Sequence, residues 1–290
     1  MSVSMFWFFD ALGSAFFARA VVGGAVVAIV CGVVGTWVVI RGMAFFGEAI
    51  GHGMLPGVAI ATLAGIPPVI GGGLSAAVMS ALVAALQRRG KLSYDTSIGL
   101  LFVAMLATGV IIVSGSGSFA TDLTAVLFGD ILAISWTDIA LLAAASSVVL
   151  TVAAARHRAF VALAFDRRLA LTLGYRPHLT QGLLVGLVTL AVVASAQAVG
   201  TLLVVALLLG PAVAAQPWHQ SIQGRMVIAA VIGVLAVTVG LAISWAIGSA
   251  AGSTIAASGV AAAGISHSSK LAAARIWNSS APIASRESTI

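Results

Sequence analysis

Stretch after stretch of this chain is apolar for about as many residues as a helix needs to cross a lipid bilayer, and that repetition leaves few possible folds. A hydrocarbon core of about 30 Å takes roughly 20 helical residues, whereas outer-membrane strands are shorter and alternate apolar with polar positions. The apolar runs at 17–40, 44–64, 69–86, 96–113, 138–155, 182–199, 201–215, 226–247 and 252–265 show no such alternation. Within lipid every backbone N–H and C=O must find its partner inside the segment, which a helix achieves alone. The expected fold class is therefore all-α, a polytopic membrane protein with about nine transmembrane helices. Composition excludes a soluble domain: 61% of the 290 residues are hydrophobic and 8% charged, too few polar groups to clothe a water-facing surface. One cysteine, Cys31, excludes an internal disulfide, a thiolate zinc site or an iron–sulfur cluster. Placed inside an apolar run, it reads as a small packing residue.

The net charge of +6 would suit a nucleic-acid binder, but the charges lie where membrane topology puts them, so no nucleic-acid partner is expected. With the N-terminus outside, Arg41, Arg88, Arg89, Lys91, Arg156, Arg158, Arg167, Arg168, Arg176, Arg225, Lys270, Arg275 and Arg286 all face the cytoplasm. Only Arg19 is left outside, and the loop holding Asp122, Asp130 and Asp138 faces outward without a basic residue. That asymmetry selects an outer N-terminus and a cytoplasmic C-terminus. The chain opens without a basic n-region or small-residue cleavage site, so its first hydrophobic segment is expected to be retained. Phe6, Trp7, Phe8 and Phe9 read as an interfacial anchor. The apolar piece at 123–134 is too short for an ordinary span and is expected to be re-entrant or interfacial, broken at Gly129 and Asp130. No linker divides the chain: 1–265 reads as one transmembrane domain, and 266–290, rich in Ser and Ala, as a loosely ordered cytoplasmic tail.

Residues 41–52, RGMAFFGEAIGH, set an acid and an imidazole into an apolar span. Glu48 and His52 are four apart, so they lie one above the other on a helix face. Ionisable groups at bilayer depth cost a few kcal/mol and usually bind or move something. A carboxylate with an imidazole suits a divalent transition metal, yet the same pair can hydrogen-bond helices together, and residue chemistry alone leaves both readings open. Pro56 has no amide hydrogen for the carbonyl of His52, so a kink is expected beside the pair. Gly47 and Gly51, Gly53 and Gly57, Gly182 and Gly186, and Gly248 and Gly252 recur at a spacing that lets helices approach closely. Of the outward acids, Asp122 and Asp138 read as helix caps that also attract cations, and Asp130, in the short intramembrane piece, reads together with Asp122 as a candidate metal pathway.

These residues resemble the integral membrane permeases of the zinc, manganese and iron class of ABC importers. Residues 41–59, RGMAFFGEAIGHGMLPGVA, are similar to that family's arginine, hydrophobics, Gly-Asp, short spacer, His and Leu-Pro-Gly-Val-Ala. Three more stretches match in order: DTSIGLLF at 95–102, DLTAVLFGDILAI at 122–134 and VGTLLVVALLLGPAVAA at 199–215. The resemblance runs from about Arg19 to Ile265 and is carried by the ordered combination. It implies a type II importer-like fold, a homodimer in the bacterial cytoplasmic membrane, and a metal pathway through Glu48 and His52. It also implies a cytosolic ATP-binding subunit, an extracytoplasmic metal-binding protein, and no resident cofactor, with Zn²⁺ and then Mn²⁺ as the transported substrate. Glu48 stands where most relatives have Asp, and 248–254, GSAAGST, lacks the proline common between their last two helices.

What the chain lacks agrees with a membrane subunit that is not an enzyme. It has no G-x-x-x-x-G-K-[ST] loop, since its Gly90-Lys91 pair is followed by Leu92, so ATP hydrolysis is expected from another polypeptide. No G-x-S-x-G or H-E-x-x-H motif offers hydrolase chemistry. For ATPase coupling, two cytoplasmic stretches qualify. Residues 161–172, VALAFDRRLALT, with Arg167 and Arg168, read as one interfacial amphipathic helix. The turn after Pro211, with Gln216, Pro217, Trp218 and His219, sits where the family's coupling helix is expected, and Pro211, like Pro56, is a kink candidate. His157, His178 and His267 lie in basic stretches outside the metal reading. A proton-coupled secondary transporter would show internal repeats with discontinuous helices, and a channel a ring of repeated ligands. No repeat is found.

Overall fold

A computed structural model of the chain describes residues 14–88, 93–114 and 129–280. Among these residues every regular element is helical. The helices are α1 (Ala15–Ile40), α2 (Ala44–Gly53), α3 (Leu55–Leu63), α4 (Pro68–Arg88), α5 (Tyr94–Ser114), α6 (Trp136–Ala155), α7 (His157–Phe165), α8 (Arg167–Thr172), α9 (Pro177–Val199), α10 (Thr201–Ala215), α11 (Ile222–Ile247) and α12 (Ala251–Ser280). A short 3-10 turn, Ile131–Ala133, precedes α6. Seven segments are long and apolar enough to cross a membrane, counting α2 and α3 together as 44–63, and α10 is a shorter apolar helix. Each of the apolar runs expected to span is helical, so the expected count of about nine is approximate only in where short helices are counted.

α1 lies at the centre, packed on α6, α9, α10 and α11. Small residues make that possible. A Cβ on Gly35 would run into the Leu208 carbonyl of α10, and one on Gly32 into the Ala230 backbone of α11. Lipid tails are as apolar as leucine, so burial alone does not drive these helices together; close backbone contact does. Leu74 and Val78 of α4, Leu100 and Val103 of α5, and Leu141 and Val148 of α6 stay exposed, as lipid-facing side chains do. Cys31 is buried in α1, as its surroundings in sequence imply. The four glycine pairs divide. Gly47, Gly51, Gly53 and Gly57 each meet a neighbouring helix, whereas Gly182, Gly186 and Gly248 have open space around them.

Two expectations are corrected. The stretch 161–172 is not one helix: it breaks at Asp166, whose extended backbone and side chain cap α8 by accepting from the Arg168 amide at 2.7 Å. A short acid competes well for exposed amides at a helix start. Second, the last helix does not end near Ile265 but continues as helix to Ser280. Ser266 is buried and its hydroxyl donates to the Ala214 carbonyl at 2.6 Å, tying this extension to α10. Pro211 lies inside α10, which continues through it as helix. The expected aromatic anchor at 6–9 lies outside the described residues.

Candidate metal site

α2 is placed by the turn before it. Gly42 takes a left-handed φ of 63°, and the Met43 amide donates back to the Val38 carbonyl at 2.9 Å, closing the end of α1. Only glycine adopts that backbone cheaply. The chain enters α2 at once, and α2 ends ten residues later at Gly53, with α3 opening at Leu55 and Pro56 in its first turn. The Gly53 carbonyl accepts from the Ser75 hydroxyl of α4 at 2.7 Å.

Glu48 and His52 project from one face of α2, with His52 Nε2 2.9 Å from Glu48 Oε1. With Nε2–H donating to the carboxylate, the lone pair of the neutral ring sits on Nδ1. Nδ1 is buried and without a hydrogen-bond partner among the described residues. A buried ring nitrogen without a partner is costly, and a cation is one species that satisfies it. The side chains are part open, Glu48 at 34% and His52 at 19%, so a ligand can reach them. Phe102 of α5 presents its ring edge-to-face to His52 at 5.3 Å and also meets Phe45 at 5.5 Å. Gly51, between the two polar residues, leaves no Cβ against Thr201 at the start of α10, and Gly47 lies against Leu208. The described residues hold no group of three or more His, Cys, Asp and Glu side chains suited to a metal. Glu48 and His52 thus stand as an open pair of donors rather than a closed cage.

The other candidates are elsewhere. Asp130 caps the 3-10 turn, accepting from the Leu132 amide at 3.0 Å, and is exposed. Gly129 beside it lies flush on the Val199–Gly200 junction of α9 and α10, and buried Ile131 and Ile134 reach over Gly24 and Gly23 of α1. The turn therefore sits within the bundle, roughly 12 Å along α1 from Ala15. Asp122 lies outside the described residues. Asp138 forms a capping box with Ser135 at the start of α6.

At the Arg41 end of the bundle, Arg167 reaches His178 Nε2 with its Nη2 at 2.6 Å. Phe165, Leu169, Leu171 and Leu173 of the α7–α8 region are exposed beside it. The 216–219 turn makes different contacts. Trp218 donates from Nε1 to Ser266 Oγ at 2.7 Å, Lys270 lies over its ring at 4.8 Å, and His219 Nδ1 accepts from the Ser221 amide at 3.0 Å. Gln216 and Pro217 are half-buried in the same turn. A cavity of about 730 Å³ opens not at Glu48 and His52 but beside Arg41, Gln87, Asp95, Phe165, His178 and Gln181. Sequence reading missed Phe102, Ser75 and the reach of Arg41. Phe102 closes the DTSIGLLF stretch, a signal for the first; the other two are visible only once helices are assembled.

The model of the ABC 3 transport family matches residues 14–267. The manganese import system permease protein ScaB of Streptococcus parasanguinis is 35% identical over 240 residues, covering 83% of this chain and 85% of that protein. The manganese transport system membrane protein MntC of Halalkalibacterium halodurans is 31% identical over 255 residues, 88% of this chain and 87% of that one. The chelated iron transport system membrane protein YfeD of Yersinia pestis is 32% identical over 242 residues, 83% and 80%. Among solved structures, PsaBC from Streptococcus pneumoniae in complex with Fab superposes with a TM-score of 0.81 at 32% identity, over 90% of this chain and 95% of that one. An inward-facing putative metal-chelate type ABC transporter shares the fold, at a TM-score of 0.72 and 15% identity over 93% and 91%.

Proposed function

This chain belongs to the ABC 3 transport family, and we propose accordingly that it is the permease subunit of an ATP-driven importer for a divalent transition metal. The observation that carries this reading is the part-open Glu48–His52 pair inside a span, with a buried Nδ1 that has no hydrogen-bond partner among the described residues. A carboxylate with an imidazole accepts Mn²⁺, Fe²⁺ or Zn²⁺, and affinity order alone puts zinc first. The relatives are named for manganese and chelated iron. We therefore rank Mn²⁺ ahead of Fe²⁺ and Zn²⁺, reversing the order expected from donor chemistry. Two side chains per chain bind strongly enough to admit a cation and weakly enough to release it.

The partly exposed edge of Glu48 would be expensive against lipid, which supports a second copy of the chain facing it across a shared pathway. ATP hydrolysis comes from a cytosolic subunit, docked at the Arg41 end where Phe165, Leu169, Leu171 and Leu173 stand exposed beside Arg167 and Arg168. Trp218 and its turn, tied back to α12, brace this face. An extracytoplasmic metal-binding protein delivers the ion at the Asp130 end, in the bacterial cytoplasmic membrane with the N-terminus outside. The test is ATP-dependent uptake of radiolabelled manganese by proteoliposomes holding this chain, its ATPase and its binding protein. Unlabelled Mn²⁺ is expected to compete better than Zn²⁺ at equal concentration; the reverse order restores zinc as the substrate.

A further inference from the structure

We propose that Arg41 couples the ATPase-facing helices to the metal-bearing helix, so that displacement of α7 and α9 is delivered to Glu48 and His52; this rests on the importer reading above. Arg41 lies in the tight turn between α1 and α2, and its guanidinium divides between two other elements. Nη1 donates to the Leu163 carbonyl of α7 at 2.7 Å, and Nη2 donates to Gln181 Oε1 of α9 at 2.7 Å. Gln181 Nε2 in turn approaches Met43 Sδ, in the same turn, at 3.6 Å. Leu163 is in the last turn of α7, where carbonyls lack helical partners and the helix dipole favours a cation. A planar fork can hold two acceptors in different elements at once, which an ammonium does far less well.

The lever beyond this junction is short. α2 runs only from Ala44 to Gly53, between the left-handed Gly42 turn and the break at Met54, the point at which the span can bend. From Ala44 to His52 is roughly 12 Å of unbroken helix. Gly47 and Gly51 bring its backbone directly onto Leu208 and Thr201 of α10, so a shift of α2 bears on α10 as well. The cavity of about 730 Å³ lined by Arg41, Leu163, Phe165, Arg167, His178 and Gln181 leaves α7 and α8 room to move beside the junction. Arg41 is thus a positioning residue: it touches no metal and acts through α2.

The test uses the full chain reconstituted with its ATPase and binding protein, measuring metal uptake and ATP hydrolysis in the same vesicles. R41A is expected to assemble and hydrolyse ATP while uptake per ATP falls roughly tenfold, the scale set by losing a charge-assisted hydrogen bond. R41K, with one donor group in place of the fork, is expected to fall between, and Q181L, which leaves the Leu163 contact in place, to lose less than R41A. Q181L and R41K carry the test if R41A yields no folded protein. Wild-type uptake per ATP in all folded variants overturns the proposal, as does a loss that merely follows lost melting temperature. Absence of any ATP-driven uptake by the wild-type assembly strikes the importer reading instead.

Discussion

Glu48 and His52 hold each other through a hydrogen bond of 2.9 Å. If the pair acts as one unit on the ion, Glu48→Gln and His52→Ala should each remove most uptake, and the double variant should be little worse, since groups acting together are strongly non-additive. Glu48→Asp keeps the charge one methylene shorter and is expected to retain transport. Melting temperature and uptake measured together decide this. A folded His52→Ala protein with full manganese uptake would leave the pair as packing only. Away from the membrane spans, burial holds His157 below the ordinary histidine range, where it packs on Trp37 at 5.5 Å. An unfolded histidine titrates near about 6.5. With the folded value depressed, the unfolded state binds more protons, so the contribution of His157 to stability is present above that pH and is lost as pH falls through the folded value. His157→Phe, which keeps the ring, should flatten the acid side of a stability–pH curve measured by thermal unfolding.

At the scale of elements, close backbone contact explains which substitutions the bundle tolerates. Gly57 of α3 and Gly71 of α4 face each other so closely that a Cβ on either would occupy the other's carbonyl. Gly57→Val should cost about 1–3 kcal/mol by overpacking. Gly186, mid-helix in α9 with open space around it, should accept Ala without loss, since Ala is the better helix former by up to about 1 kcal/mol. Thermal unfolding of both variants in detergent checks this. Equal melting temperatures would mean that the α3–α4 contact is looser than the structure has it. Caps behave more locally: Ser135→Ala removes the Asp138 amide's partner at the exposed start of α6, a loss of about 1 kcal/mol.

For the whole molecule, the division of labour between polypeptides is the testable matter. The chain lacks a phosphate-binding loop, so alone in proteoliposomes it should neither hydrolyse ATP nor take up metal. Proton-driven uptake by this chain without partners would return the secondary-transporter reading. Reversing the charges of Arg167 and Arg168 should weaken ATPase docking, read by co-purification, while metal delivery on the opposite face, about 30 Å away, is unaffected. Trp218→Ala should instead lower the melting temperature first, because its indole bonds Ser266 and carries Lys270.

Helical class, span positions and the break before Pro56 were legible in the chain because each follows from local rules: lipid leaves backbone groups no outside partner, and proline removes a donor wherever it stands. The acid–imidazole pair was legible for the same reason, since four-residue spacing sets two side chains on one helix face whatever surrounds them. Tertiary structure decided everything that depends on what lies opposite. It put Phe102 on His52, left Nδ1 buried without a partner, turned two glycine pairs into contacts and left the other two largely in open space, and took Arg41 from a topology marker to a junction of three elements. It also made α12 a helix beyond the membrane run, through Ser266 and Ala214, residues 52 apart in sequence. Spacing along a helix fixes neighbours within that helix, whereas partners across helices are set by packing, which no local pattern encodes.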